Sequence, residues 1–149
     1  MLLTKRPENI ADMVPEAWIQ DSWPTDVWIG ITAEDQRSFD ERWPWLAATG
    51  APVKFLSCEP LLERVNIRSA DVQWIIIGGE SGGGAREMDL EAARDLARQA
   101  DVINARLYVK QLGTVLAKKR LPMAQWKMDR KGEKLAALPS ELRSREWPE

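Results

Sequence analysis

The chain has 149 residues and a formal net charge of −2, with 44% hydrophobic and 30% charged residues. This length fits one domain that can bury a core, and the balance of apolar and charged residues excludes wholesale disorder. A slightly acidic chain has no general electrostatic attraction to nucleic acid or to anionic membranes, so we expect neither as a partner.

Five short apolar segments are predicted to be strands, because they are rich in β-branched and aromatic residues and are bounded by Gly, Pro, Asp or Glu. They are residues 2–4, 27–32, 53–57, 74–77 and 107–109. The fourth segment, WIII, is continuously apolar, which is typical of a parallel strand covered on both faces.

Helical patterns separate these strands. One is predicted to begin at Pro7, a second to span residues 33–48 and a third to span residues 90–104, with Asp89 as its N-cap. Pro44 is expected to kink the second helix or end it early. The segment between the third and fourth strands, residues 60–70, is less regular and is expected to hold a short helix at most.

Alternating strands and helices predict an α/β fold with a mostly parallel sheet. Five strand–helix units are too few for a closed eight-stranded barrel, so we expect a partial (β/α) barrel or an open sheet over residues 1–121. An irregular tail, residues 122–149, is predicted to pack on this body, with Trp126 and Trp147 as anchors. The open sheet edge predicts a homo-oligomer or a protein partner that covers it.

The chain contains one cysteine, Cys58, and no histidine. One thiol excludes an intramolecular disulfide and a multi-cysteine metal or cluster site built from this chain alone. The missing histidine removes the usual general base near neutral pH and the partner of a serine or cysteine nucleophile. We therefore expect no cofactor in this chain, and the composition favours a non-catalytic protein without deciding the question.

Polar side chains follow every predicted strand, where ligands meet parallel sheets. The candidate ligand-binding residues among them are Lys5, Arg6, Glu34, Glu59, Glu80, Ser81, Lys110 and Gln111. By strand alternation, Glu59 shares a face with Phe55 and Ser57, whereas Cys58 points to the opposite face and is expected to be buried and inert. The alternative is that strand ends are polar only because they are solvated.

A glycine-rich loop, GGESGGG, follows the fourth strand directly. Its candidate binding residues are Gly78, Gly79 and Gly82, together with Glu80 and Ser81. Glycines allow positive φ and close approach of a ligand, so free amides could form a nest for a phosphate or carboxylate, with Arg86 pairing to the anion. The equally open alternative is a plain turn between strand and helix.

Five segments follow one another along the chain: LLTKRPENIADMVP, VWIGITAEDQ, VKFLSCEPLLERV, VQWIIIGGESGGGAREM and LYVKQLG. Together, in this order, they resemble the later part of an uncharacterised, phage-associated, radical-SAM-like barrel family. The resemblance implies that the family's N-terminal three-cysteine segment is absent here, and that full-length members use an iron–sulfur cluster and S-adenosylmethionine. The chain departs from the family at Leu112, where a tryptophan is usual, and at residues 87–89, where a histidine is frequent.

Three functions follow from the resemblance. The first is a truncated phage or prophage protein, non-catalytic, that acts by binding a ligand or a protein. The second is half of an enzyme, completed by a separate cysteine-bearing chain and using Glu59, Glu80, Arg86 and Lys110. The third is a phage-encoded inhibitor of a host protein. With no signal peptide and no segment of about 18 apolar residues, all three are expected in the cytoplasm of a bacterium or a phage-infected host.

Overall fold

The computed structural model describes residues 1–20, 22–67 and 71–148, without the side chain of Gln20. Five parallel strands form one open sheet in the order β1-β2-β3-β4-β5. The strands are β1 (Leu2–Thr4), β2 (Ile29–Thr32), β3 (Lys54–Cys58), β4 (Trp74–Gly78) and β5 (Arg106–Gln111). The prediction of an α/β fold with an open, parallel five-stranded sheet is confirmed.

Six α-helices accompany the sheet in the described residues. They are α1 (Ile10–Met13), α2 (Glu16–Gln20), α3 (Gln36–Ala47), α4 (Leu90–Val102), α5 (Thr114–Arg120) and α6 (Met123–Met128). Short 3-10 turns span Pro7–Asn9, Leu135–Ala137 and Ser140–Leu142. None of the helices described is long and apolar enough to cross a membrane.

The outer face of the sheet, which the helices cover, carries the main hydrophobic core. Ile31, Leu56 and Ile75 project from three neighbouring strands into this core and are fully buried. Helix α4 adds a stripe of Ala93, Leu96 and Ala100, each 0% exposed, as expected for residues spaced by one helical turn. Burial of this apolar surface is the main force that holds the helices on the sheet.

The inner face of the sheet carries a separate aromatic cluster. Phe55 and Trp74 are 0% and 1% exposed, and Trp28 and Tyr108 pack against them. Gly30 leaves space for Phe55, because a Cβ at Gly30 would lie 2.5 Å from the phenyl ring. The sheet is therefore apolar on both faces at this level, as the continuous apolar sequence of β4 predicts.

The C-terminal segment covers the outer edge of β5. Val109 N–H donates to Ser144 O and Glu146 N–H donates to Leu107 O, each at 2.9 Å, so residues 144–146 run antiparallel to β5. Trp74 Nε1 then donates to Glu146 O at 2.9 Å, and the Trp147 ring lies 4.6 Å from the Trp74 ring.

The other edge of the sheet is more open. Strand β1 pairs with β2 through three residues, Leu2, Leu3 and Thr4. Leu2 and Leu3 remain 45% and 52% exposed. An edge strand with exposed leucines differs from the usual edge, which is protected by charge or proline.

Helix α3 does not end at Pro44, which was one of the two outcomes predicted for that residue. It continues three residues to Ala47, because buried Leu46 and the Phe39–Trp43 stacking at 5.8 Å hold both sides of the proline. The tail, predicted to be irregular, contains the short helix α6 and two 3-10 turns. Residues 60–67 contain no helix, in agreement with the prediction of a short helix at most, and residues 68–70 of that segment lie outside the described residues.

Candidate ligand-binding rim

The carboxyl ends of the strands carry a row of ion pairs, which we call the rim. Its charged side chains are Lys5, Glu34, Arg42, Glu59, Glu80, Arg86 and Lys110. Lys5, Glu34, Glu59, Glu80 and Lys110 were predicted from their position after a strand, Arg86 was predicted from its place beside the glycine-rich loop, and Arg42 was not predicted.

Glu59 reaches across β4 to β5. Its Oε2 lies 3.0 Å from Lys110 Nζ, and Ser57 Oγ donates to its Oε1 at 3.3 Å. The side chain passes over Gly78, where a Cβ would lie 2.8 Å from Glu59 Oε2. The first glycine of the GGESGGG loop therefore provides space for a side chain of the protein itself.

Glu34 is held by two basic side chains. Lys5 Nζ donates to its Oε1, and Arg42 Nη1 donates to its Oε2 at 2.8 Å and to Thr32 O at 2.7 Å. Burial raises the pKa of Glu34, but the hydrogen bonds from Lys5 and Arg42 outweigh this effect, so the pKa is below its usual range. The group stays a carboxylate at neutral pH.

The glycine-rich loop folds around the contact between Glu80 and Arg86. Arg86 donates to the carboxylate from Nε and Nη2, each at 3.0 Å, and from its backbone N–H at 2.8 Å. The Arg86 guanidinium and then its backbone N–H lower the pKa of Glu80 to about 2. Arg86, expected to pair with a bound anion, thus already pairs with a carboxylate of the loop.

Gln111 and Ser81 connect the loop to β5. Gln111 Nε2 donates to Gly79 O at 2.8 Å and to Ser81 Oγ at 3.0 Å. Gly79 approaches the chain after β5 so closely that a Cβ would lie 2.0 Å from Leu112 O. Gly82 has φ +109°, and its N–H donates to Thr114 Oγ1 at 3.1 Å. These residues shape the loop, and the Thr114 contact was not predicted.

In each pair the carboxylate lies deeper than its basic partner. The exposed fractions of the side chains are 13% for Glu34 against 60% for Lys5, 20% for Glu59 against 53% for Lys110, and 31% for Glu80 against 57% for Arg86. The groups that a ligand meets first are therefore the basic ones.

The predicted residues differ in how closely they associate. The hydrogen bond to Glu80 raises the pKa of Arg86 above its usual range, and the charge of Glu34 makes a smaller contribution in the same direction. Arg6 is exposed, and its backbone N–H donates to Thr4 Oγ1 at 2.9 Å. Arg42 was missed, because its contact with Glu34 depends on how α3 packs against β2.

The residues of this chain do not fit an iron–sulfur cluster, which needs three or four thiolates. Cys58 is 0% exposed among the outer-face core residues. Burial raises its pKa to about 12, with smaller effects of Glu59 and Glu34. Cys58 is therefore a buried, protonated thiol, as predicted, and the described residues contain no group of three or more His, Cys, Asp or Glu side chains placed to hold a metal ion.

Comparison with curated proteins and with solved structures found no match. The family model described as "Protein of unknown function (DUF5131)" matches residues 1–147, and the chain belongs to this family.

Proposed function

We propose that this protein is a binding module whose rim captures a small anionic ligand, such as a molecule that carries a phosphate or carboxylate group. The observation that carries the proposal is the layering of the rim: the partly buried carboxylates of Glu34, Glu59 and Glu80 hold the more exposed Lys5, Lys110 and Arg86 in place. Fixed, half-exposed basic groups at the ends of parallel strands suit an anion.

The ion pairs leave donors free for the ligand. A lysine ammonium has three N–H donors and an arginine guanidinium has five. Lys110 Nζ contacts Glu59 at 3.0 Å, and Arg86 directs Nε and Nη2 to Glu80, so each side chain keeps further N–H groups for an anion. The carboxylates thus position the basic groups without using all of their donors.

The likeness of SCEPLL and GGESGGGAR to phage-associated, radical-SAM-like barrels supports a phage or prophage origin for this module. We further propose that the chain holds no cluster of its own, because its one thiol is buried in the outer-face core. The ligand then binds through the basic side chains of the rim.

A thermal-shift titration with inorganic phosphate and with succinate, at constant ionic strength set by chloride, tests the proposal. We expect saturable stabilisation of the wild type at millimolar concentrations. Lys110→Ala and Arg86→Ala should abolish it. Glu59→Gln should keep or increase it, because this change removes a competing negative charge and leaves Lys110 in place.

Lys127→Ala is the matched control, since Lys127 is exposed on α6 outside the rim. It should bind phosphate and succinate as the wild type does. Two results would refute the proposal: no saturable stabilisation of the wild type by either anion, or equal stabilisation of the wild type, Lys110→Ala and Arg86→Ala.

The second candidate function is half of an enzyme, completed by a cysteine-bearing chain. The open edge of β1 favours it, because Leu2 and Leu3 are 45% and 52% exposed at the position where a further barrel strand would pair. Co-expression with a separately encoded three-cysteine chain should give a one-to-one complex that binds iron. Leu3→Lys should break this complex, whereas Met13→Lys, at a position 80% exposed on α1, should not.

A further inference from the structure

A cavity lies among the helices, and none of its lining residues belongs to the rim. Its volume is about 600 Å³, within the range of small-molecule sites. Residues from α1, α2 and the segment after α3 form its walls. The lining residues are Pro7, Glu8, Ile10, Ala11, Val14, Trp18, Ile19, Ser22, Trp23, Trp45, Ala48, Thr49, Gly50 and Pro52.

Three tryptophans dominate the lining. Trp18 and Trp23 contact each other with ring centroids 5.3 Å apart and an interplanar angle of 58°. Trp23 Nε1 donates to Val27 O at 3.0 Å, which fixes the orientation of its ring. Trp45 is 54% exposed, so its ring is available at the mouth of the cavity. Aromatic faces at two orientations can surround a ligand rather than stack on one side of it.

The charge in the cavity wall is acidic, because Glu8 is the one charged side chain among its described lining residues. Ala48, Thr49 and Gly50, which follow the carboxyl end of the 12-residue helix α3, also line it. The carboxyl end of a helix carries a partial negative charge, and no basic residue lies in the last turn of α3.

We infer that this cavity binds a small organic cation with an apolar body, such as a quaternary or aryl-alkyl ammonium ion. The tryptophan rings attract a cation through their faces and also bury its apolar groups. Glu8 and the end of α3 supply the opposite charge. An anion would meet no basic side chain in this lining, and a neutral apolar ligand would make no use of Glu8.

The test compares benzyltrimethylammonium with its uncharged carbon analogue, neopentylbenzene, on the complete chain. Binding is followed by tryptophan fluorescence and by chemical shifts of the indole N–H groups. We expect the cation to bind saturably, and to bind about threefold to tenfold more tightly than the neutral analogue. The shifts should be concentrated on Trp18, Trp23 and Trp45.

Two variants at exposed positions probe the site without disturbing the core. Glu8→Gln and Trp45→Ala should each weaken cation binding by about threefold or more. Asp12→Asn is the matched control, because Asp12 is an exposed carboxylate on α1 outside the lining; it should bind the cation as the wild type does.

Three outcomes would overturn the inference. The first is that the cation shows no saturable binding at about 10 mM, a concentration well above the usual range for specific sites. The second is equal affinity for the cation and its neutral analogue. The third is an affinity for the cation that neither Glu8→Gln nor Trp45→Ala changes. Far-UV circular dichroism and melting curves of each variant separate lost binding from lost folding.

Discussion

The carboxylate of Glu59 occupies the space that a side chain at residue 78 would need: a Cβ on Gly78 would lie 2.8 Å from Glu59 Oε2 and 3.0 Å from Glu59 Cγ. This glycine of the loop is therefore required by packing within the rim, because it lets Glu59, the residue after β3, reach Lys110 on β5.

Replacing Gly78 by alanine should displace Glu59 from Lys110. The neighbouring atoms belong to a flexible side chain that can move, so we expect the free energy of unfolding to fall by only about 1 kcal/mol. Chemical denaturation measures the loss of stability, and the NMR chemical shifts of the Glu59 and Lys110 side chains measure their separation. Gly50→Ala is the control, since its Cβ meets nothing within 4 Å. Unchanged stability together with unchanged chemical shifts of both side chains would contradict this account.

The fit of Phe55 against Gly30 gives a second test. A Cβ at Gly30 would lie 2.5 Å from a ring that is 0% exposed and has no free space, so Gly30→Ala should cost about 1–3 kcal/mol of stability. Adding Phe55→Ala removes the Cγ, Cδ2 and Cε2 atoms that clash. The double variant should therefore be more stable than the sum of the two single changes predicts. Strict additivity in denaturation experiments would refute the predicted clash.

The Glu80–Arg86 pair gives a pH-dependent test. The pKa of Glu80 is lowered from 4.5 to about 2, so the stability that the pair adds is fully present above pH 4.5 and is lost as the pH falls towards 2. Arg86→Ala should raise the Glu80 pKa only part of the way, because the backbone N–H of residue 86 still donates to it. Carboxyl NMR titration measures this pKa, and a value equal in the two proteins would exclude the contact.

The melting temperatures of the two proteins provide an independent check on the same pair. The wild type should melt above Arg86→Ala at pH 7, and this difference should shrink below pH 4.5 and vanish near pH 2. A difference that grows on acidification would have the wrong sign for a carboxylate whose pKa is depressed in the folded state.

Cys58 should react with a thiol reagent only when the protein unfolds. Its side chain is fully buried, and burial raises its pKa to about 12, so the thiolate is absent at pH 8. We expect no colour change with a disulfide reagent in native buffer and one equivalent of reaction in guanidinium chloride. Rapid labelling of the native protein would place Cys58 at the surface rather than in the outer-face core.

Removing residues 144–149 should expose the edge of β5 and the Trp74 ring. The truncated chain loses the antiparallel bonds to Leu107 and Val109 and the stacking of Trp147. We expect a lower melting temperature, more binding of a hydrophobic dye and self-association in sedimentation experiments. Removal of residues 148–149 alone keeps these contacts and serves as the control. A monomeric truncated chain with wild-type stability would contradict the role given to this segment.

The strands were predictable because their signal is local. Buried β4 is a continuous apolar run, and β3 alternates so that Cys58 and Glu59 point to opposite faces, as the period of two requires. Helix α5 was missed because TVLAKKR spans seven residues, too few for a helical period to stand out.

The site was predictable only in part. Their position after a strand indicated that Glu34, Glu59 and Lys110 lie at the carboxyl ends of the strands, where the structure has them; their role in binding stays a prediction. That Arg86 turns back onto Glu80 depends on the path of a loop with positive φ at Gly82 and Gly84, which composition does not specify. The Arg42 contact needs the packing of α3 on β2, a tertiary relationship that no local pattern encodes.

The hydrogen bond from Trp74 to Glu146 joins residues 72 positions apart, and this separation affects how the chain folds while it is being synthesised. A ribosome releases β4 long before residues 144–147, so the aromatic inner face lacks this cover until about 70 further residues have been added. Contacts of such high sequence separation form late and slowly. The nascent chain therefore depends on residues 144–147 to complete the sheet, and a chain that stops before them leaves a surface open to chaperones and to misassembly.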